Sequence, residues 1–180
     1  MKARRIAIWG NSGSGKSTLA QQLATEVGLP AYHVDKIAWQ SGWRYTDEAA
    51  FLILHQNWID RPDWIIEGVG HTSGLRKRFE RAELIVFLDT PVEICRARAR
   101  RRIEADRQTQ NRFIADGCRY GDVVEKQWRI IDYFDQHLRA EIAAMIEEEF
   151  SCTKHLLLDG RKTATELSAE IKASESRRRD

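Results

Sequence analysis

The segment that most restricts the possible folds of this chain is residues 10–17, which read Gly-Asn-Ser-Gly-Ser-Gly-Lys-Ser. It matches the complete pattern G-x-x-x-x-G-K-[ST] and lies between an apolar run at residues 5–9 and an amphipathic run at residues 17–27. Glycine lets the backbone of such a turn approach an anion closely, and the helix that follows points its N–H groups at that anion. The sequence therefore predicts a P-loop that binds the phosphates of ATP or GTP.

Each part of this loop has a predicted task. The helix that follows the loop adds the positive end of its dipole to the attraction for phosphate. Lys16 is expected to reach the β- and γ-phosphates, and the Ser17 hydroxyl is expected to bind Mg²⁺. The predicted nucleotide-binding residues of the loop are Gly10, Asn11, Ser12, Gly13, Ser14, Gly15, Lys16, Ser17 and Thr18.

Size and composition predict one globular domain around this loop. The chain has 180 residues, 42% of them hydrophobic and 31% charged, with apolar runs too short to span a bilayer. Its basic first residues lead directly into the first strand, which is unlike a signal peptide. Three widely spaced cysteines disfavour a disulfide framework or a zinc site. We therefore expect a cytoplasmic protein without a membrane partner, and a net charge of +2 does not by itself favour nucleic acid.

Strand-like and helix-like segments alternate along the chain. The predicted strands lie at residues 5–9, 32–34, 64–66, 84–88 and 155–158. The predicted helices lie at residues 17–27, 47–58, 91–102, 124–145 and 163–173. This alternation favours an α/β fold with a parallel sheet covered by helices on both faces. We expect residues 36–62 to be an excursion and residues 104–121 to be a mobile lid, both within a single domain that spans residues 1–180.

Four predicted strands are followed by an acid, and ligands of open α/β sheets bind at that end of the strands. Because acids also cap helices and turns, helix capping is the favoured interpretation for Asp89 and a turn for Asp159. Asp35 and Glu67 are the better functional candidates. One of them could bind Mg²⁺ through a water molecule, and the other could orient or deprotonate an acceptor hydroxyl.

Tryptophans and arginines supply further candidates. Trp39 and Trp43 could stack on a base or roof a pocket, although packing of a small subdomain explains them equally well. Arg98 and Arg102 are four residues apart, which suits a lid that closes on phosphates, but also a solvated helix face. Further arginines near the lid are Arg107, Arg112 and Arg119.

Six motifs, taken in order, resemble the topology-modulation (FlaR-related) proteins, which belong to the adenylate-kinase-like branch of P-loop kinases. The motifs are GNSGSGKST at residues 10–18, HVDK at 33–36 with Trp39, GW at 42–43, WIIEG at 64–68, FLDTP at 87–91 and GC at 117–118. The resemblance extends over roughly residues 4–160. The phosphate loop is specific to the superfamily, and the blocks around Asp35 and Glu67 point to the narrower family.

This resemblance implies a P-loop three-layer sandwich whose five parallel strands lie in the order 2-3-1-4-5, with a short lid. Glu67 then lies on the strand beside the phosphate loop. Arg98 matches the arginine that covers adenine, and Arg102 matches the lid arginine that contacts phosphates. The backbone of Gly160 and Arg161 resembles the loop that flanks adenine.

One departure from adenylate kinases affects the acceptor. Those enzymes follow the third strand with Phe-Pro-Arg, which holds the acceptor phosphate, whereas this chain has Val69-Gly70-His71. The first hypothesis is therefore a phosphotransferase that moves the γ-phosphoryl of Mg²⁺-ATP to a small acceptor. That acceptor is a nucleoside, a nucleotide or another hydroxyl compound, and a hydroxyl acceptor is favoured over a nucleoside monophosphate. Its catalytic candidates are Lys16, Asp35, Glu67, Arg98 and Arg102. The second is a nucleotide-dependent regulatory protein with slow ATPase activity and a DNA partner, for which residues 96–102 and 177–179 supply arginines.

Overall fold

Five strands form one parallel sheet in a computed structural model that describes residues 3–106 and 111–176. They are β1 (Arg5–Gly10), β2 (Ala31–His33), β5 (Trp64–Glu67), β6 (Leu84–Asp89) and β7 (Lys154–Asp159). The short strands β3 (Trp39–Gln40) and β4 (Arg44–Tyr45) form a separate antiparallel pair. The order in the large sheet is β2-β5-β1-β6-β7, so β1 and its phosphate loop lie at the centre.

The helices cover both faces of this sheet. They are α1 (Lys16–Val27), α2 (Asp35–Ala38), α3 (Glu48–Ile59), α4 (Thr72–Arg81), α5 (Val92–Asp106), α6 (Val124–Tyr133), α7 (Arg139–Glu149) and α8 (Ala164–Ser176). A π-helical turn, Phe134–Leu138, joins α6 to α7. Alternate residues of β1 enter two cores. Ala7 and Trp9 pack with α3, α4 and α7, whereas Ile6 and Ile8 pack with α1 and α8.

The predicted α/β sandwich with a five-stranded parallel sheet is therefore confirmed. When the five strands of this sheet are numbered by themselves along the chain, their order in the sheet is 2-3-1-4-5. The labels differ from 2-3-1-4-5 only because the pair β3–β4 lies in the excursion, where no strand was predicted. β2 ends at His33, so Asp35 begins the short helix α2 rather than ending a strand.

The prediction for residues 104–121 is only partly right. Residues 104–106 belong to α5, residues 107–110 lie outside the described part of the chain, and residues 111–119 form irregular turns. Ile114, Cys118 and Tyr120 are buried against Trp43, so this stretch is not a purely polar excursion. Trp43 thus packs a small subdomain.

Hydrogen bonds tie residues 111–119, which we call the covering segment, to the β3–β4 hairpin. The Gly42 N–H donates to Gly117 O at 3.2 Å, and the Trp43 indole Nε1 donates to Arg119 O at 2.8 Å. The Cys118 thiol donates to Gln40 O at 3.2 Å. Two stretches that the sequence separates by about seventy residues therefore form one continuous surface.

Among residues 3–106 and 111–176, no helix is both long and apolar enough to cross a bilayer.

Candidate active site

The phosphate loop joins the end of β1 to the start of α1. Gly13 and Gly15 have φ angles of +82° and +104°, a region that favours glycine. A Cβ at position 13 would overlap the carbonyl oxygen of Cys95, because the loop packs against the first turn of α5. The backbone geometry that the sequence motif requires is therefore present, and it depends on glycine at these positions.

Hydrogen bonds hold the loop in shape. The Asn11 amide donates from Nδ2 to Ile131 O at 2.9 Å, and its Oδ1 accepts from the Ser12 N–H at 2.7 Å. The Thr90 hydroxyl donates to Ser14 O at 3.1 Å. Lys16 Nζ donates to Asn11 O at 3.0 Å, so the ammonium lies across the loop. A preorganised loop of this kind can bind an anion without first becoming ordered.

Glu67 lies beside the start of α1 and is almost completely buried. Its Oε1 accepts hydrogen bonds from the Ser17 hydroxyl and from His33 Nδ1, each at 2.8 Å. Burial acts to raise the pKa of Glu67, but the His33 hydrogen bond and the Lys16 charge hold that pKa below its ordinary value. The carboxylate is therefore ionised at neutral pH.

The oxygens of Ser17 and Glu67 fit a magnesium ion. Mg²⁺ in phosphate-transfer sites takes one or two protein oxygens and completes its shell with waters and phosphate oxygens. A hydroxyl and an ionised carboxylate in mutual contact supply that donor set. Within the described residues, no group of three or more His, Cys, Asp or Glu side chains could hold a metal ion by itself.

Asp35 differs from Glu67 in its electrostatics. Burial raises the pKa of the Asp35 carboxyl, while the charge of Lys16 opposes the shift and that of Glu67 adds to it. Asp35 lines the same cavity as the phosphate loop. Two carboxyl groups whose pKa values are shifted in opposite directions are suited to different tasks, one to bind a cation and one to exchange a proton.

Arg98 and Arg102 of α5 lie beside the phosphate loop, and their predicted role in a lid stays a prediction. Arg98 donates to Ser14 O at 2.8 Å and to Gly160 O at 2.9 Å. Arg102 Nη2 donates to Ser12 Oγ at 2.9 Å, and its guanidinium lies 3.9 Å from the centre of the Tyr120 ring. Both arginines thus brace the loop and line the cavity.

The cavity has a volume of about 950 Å³, at the upper end of the range for small-molecule sites. Its floor is the phosphate loop, and its walls come from the excursion, the covering segment and α6. The lining residues that the sequence did not single out include Tyr45, Phe113, Tyr120, Lys126, Gln127, Arg129 and Phe134. The apolar period of α6 predicts the helix, but no local pattern indicates which of its polar residues face the loop.

Some predicted residues lie elsewhere. Gly160 lies outside the cavity lining and accepts from Arg98 through its carbonyl, and Arg161 has an exposed side chain outside that lining. Asp159 accepts from the Arg161 N–H, which fits the predicted turn. Asp89 accepts two hydrogen bonds from Arg139, at 2.9 and 2.6 Å. A cation from α7 therefore binds this carboxylate, and its role as a helix cap stays a prediction. The residues Arg107 and 177–179 lie outside the described part of the chain.

The family model of the ATPase family associated with various cellular activities (AAA) matches residues 6–117, which is more than half of the chain. The chain belongs to this family. The match includes the phosphate loop, Asp35, Glu67, Arg98 and Arg102. This AAA-family chain is also 24% identical, over 197 residues, to an adenylate kinase of Thermosynechococcus vestitus, with 94% of the chain and 95% of the relative covered.

Solved kinase structures share the fold of this AAA-family chain. A shikimate kinase of Acinetobacter baumannii in complex with shikimate has a TM-score of 0.58 at 18% identity, covering 93% of this chain and 90% of that one. A gluconokinase of Sinorhizobium meliloti has a TM-score of 0.55 at 17% identity, covering 97% and 92%. At such identities the likeness concerns the fold alone. The chain is thus a P-loop protein with a kinase-like fold, and its narrower resemblance to topology-modulation proteins stays a prediction.

Proposed function

We propose that this chain is a phosphotransferase that moves the γ-phosphoryl group of Mg²⁺-ATP to a hydroxyl group of a small acceptor. The observation that carries the proposal is the pair of carboxyl groups beside Lys16. Glu67 is ionised and bonded to Ser17, whereas Asp35 lines the cavity with a raised pKa. A hydroxyl acceptor must lose a proton, and Asp35 is a suitable recipient.

Each residue has a definite part in this reaction. The loop N–H groups and Lys16 balance charge on the phosphates, and Ser17 with Glu67 holds Mg²⁺. When bound, the ion neutralises charge that develops on the phosphate oxygens. Asp35 orients the acceptor hydroxyl and takes its proton as the bond from oxygen to phosphorus forms and the bond to ADP breaks. Arg102 bonds to the loop at Ser12, close to where charge develops.

The segment after Glu67 supports a hydroxyl acceptor over a nucleoside monophosphate. Gly70 has a φ of +67°, and a Cβ there would lie 2.7 Å from Val34 Cγ1 and 2.8 Å from the Phe51 ring. Val69 and Gly70 thus give the cavity an uncharged wall in the stretch where adenylate kinases carry an arginine. Of the similar structures, one is named for shikimate and one for gluconate, although the adenylate kinase relative is named for a nucleotide.

ADP release measured against a panel of acceptors tests the proposal. The panel contains nucleosides, nucleoside monophosphates, sugars and hydroxy acids, and each ADP released should be matched by one phosphorylated product. Lys16→Ala, which removes the predicted phosphate contact, should abolish release with every acceptor. The proposal predicts at least one hydroxyl acceptor that lacks phosphate. Turnover with monophosphates alone, or ATP hydrolysis that no acceptor stimulates, would contradict it.

A further inference from the structure

His33 is a buried residue at the end of β2, and the reaction described above does not use it. Strand pairing sets His33 of β2 directly opposite Glu67 of β5. Side chains of paired residues in neighbouring strands lie on the same face of the sheet. The imidazole and the carboxylate are therefore neighbours because of the sheet register, not because of a flexible surface contact.

The hydrogen bond between them has one direction. His33 Nδ1 lies 2.8 Å from Glu67 Oε1, and an ionised carboxylate can only accept. Nδ1 therefore carries the hydrogen. The same Oε1 also accepts from the Ser17 hydroxyl at 2.8 Å, so donors from β2 and α1 converge on one oxygen. With this oxygen fixed by two donors, the rotation of the carboxylate is fixed as well.

The imidazole ring is in turn held by the covering segment. The Phe113 ring centre lies 4.5 Å from that of His33, at an interplanar angle of 46°. Phe113 also lines the cavity, and its N–H donates to Asn111 Oδ1 at 2.8 Å. His33 thus lies between a side chain of the cavity wall and the carboxylate that is predicted to serve Mg²⁺.

We propose that His33 is a positioning residue for Mg²⁺, which orients Glu67 so that Glu67 and Ser17 can serve the ion together. Groups that hydrogen-bond to metal-binding side chains typically contribute about 10–100-fold to metal affinity. The inference rests on the Mg²⁺-ATP part of the proposed function and is independent of the acceptor. Removal of the Nδ1 donor therefore weakens the use of Mg²⁺ more than it weakens the binding of the nucleotide itself.

Two polar substitutions distinguish a role of His33 in orienting Glu67 from a role in merely filling space. In His33→Asn the amide nitrogen is as many bonds from Cα as Nδ1 is, so the hydrogen bond to Glu67 can form again. In His33→Gln the amide nitrogen takes the position of Nε2, one bond further out, and the bond is lost. His155→Gln is the matched control, because His155 is exposed on β7 and bonds to Thr153 O.

The measurement is calorimetric ATP binding over a series of Mg²⁺ concentrations and in EDTA. We expect His33→Gln to raise, by about tenfold or more, the Mg²⁺ concentration at which half of the Mg²⁺-dependent change in ATP affinity is reached. Its affinity for metal-free ATP should stay within about threefold of wild type, about 0.7 kcal/mol. His33→Asn and His155→Gln should behave like wild type in both respects. Thermal unfolding without ligand checks that each variant is folded.

Three outcomes would overturn the inference. The two His33 variants could lose their response to Mg²⁺ equally. His33→Gln could lose as much ATP affinity in EDTA as it does with Mg²⁺. Wild-type ATP binding could be insensitive to Mg²⁺. If His33→Gln does not fold, a Mg²⁺ response in His33→Asn that differs from wild type by tenfold would also overturn it. Failure of every acceptor in the panel would refute the proposed reaction and leave this inference intact.

Discussion

At the scale of single residues, the environment of a carboxyl group decides its chemistry. Glu67 ends β5 and Asp35 follows the adjacent strand β2; Glu67 is buried and Asp35 is partly buried, and the charge of Lys16 acts on both. Glu67 accepts two hydrogen bonds, which stabilise the ionised form, whereas burial raises the pKa of Asp35. The sequence could single out both acids as strand-end residues, but their division of roles depends on His33 and Ser17, whose contacts are not local.

Asp35→Asn should reduce turnover far more than it weakens ATP binding. The amide cannot take a proton, and general base catalysis typically contributes about 10²–10⁴-fold in rate. We expect a loss of that order with the best acceptor of the panel, while ATP affinity by calorimetry stays within about threefold. Asp60→Asn, at an exposed position after α3, is the control and should be fully active. An Asp35→Asn variant that phosphorylates a monophosphate at nearly the wild-type rate would refute the role of Asp35.

His55 should make the fold sensitive to mild acid. It is completely buried on α3, and neither ring nitrogen has a hydrogen-bond partner among the described residues. Burial, aided by the charges of Arg78 and Lys77, lowers the pKa of His55 to about 3. Below about pH 6.5 the unfolded chain binds a proton that the folded chain does not, so the free energy of unfolding decreases by about 1.4 kcal/mol per pH unit.

The comparison with His55→Leu isolates this effect. Because leucine does not titrate, the free energy of unfolding of His55→Leu should fall less steeply than that of wild type as the pH drops from 6.5 to 4.5. Urea unfolding at several pH values gives both curves. Parallel curves would show that His55 does not remain neutral in the folded protein.

At the scale of elements, local patterns succeeded where local packing decides the structure. The phosphate loop and α1 can be predicted from the spacing of glycine and apolar residues alone, because both patterns act over a single turn of the chain. Helix α4 was missed because its buried face contains a charge. Arg78 is completely buried there and donates to Gly68 O and Val69 O, bonds that no sequence period reveals. The β3–β4 hairpin was missed because each of its strands has only two residues.

The covering segment should become more ordered when nucleotide binds. Its ends are fixed by the buried Asp106 carboxylate, which accepts from the N–H groups of Asn111 and Tyr120 at 3.2 and 2.6 Å. Between these anchors the backbone forms irregular turns in which only Ile114 and Cys118 are buried, so most of the segment can open at low cost. Hydrogen exchange over residues 112–118 should be fast without ligand and slower with Mg²⁺ and a nonhydrolysable ATP analogue.

A peptide from α7 serves as an internal control for that experiment, since it should exchange equally in both states. Equal exchange of the covering segment with and without the analogue would exclude its ordering by nucleotide.

At the scale of the whole molecule, the sheet could be predicted and the cavity could not. Alternating strands and helices with a phosphate loop specify a parallel sheet with its binding edge at the carboxyl ends. The cavity walls come from the excursion, the covering segment and α6, which meet only after folding. The role of Trp43 is ambiguous in the sequence for this reason, since its ring contacts Tyr120, which is distant along the chain.

Salt should separate nucleotide binding from nucleic-acid binding. Several arginines of α5 already have partners, namely Asp132 for Arg96, backbone oxygens for Arg98 and Ser12 for Arg102. A protein that contacts six to ten DNA phosphates loses about 10³–10⁵ in affinity between 50 and 200 mM salt. We expect ATP affinity to fall by less than about tenfold over this range. Submicromolar binding of duplex DNA at 150 mM salt, with a steep salt dependence, would favour the regulatory hypothesis.

The hydrogen bonds between the covering segment and the β3–β4 hairpin affect how these two walls of the cavity can move. Since Gly42, Trp43 and Gln40 bond to Gly117, Arg119 and Cys118, a displacement of one part pulls on the other. The two walls of the cavity that these segments form are therefore expected to move together when a ligand enters or leaves.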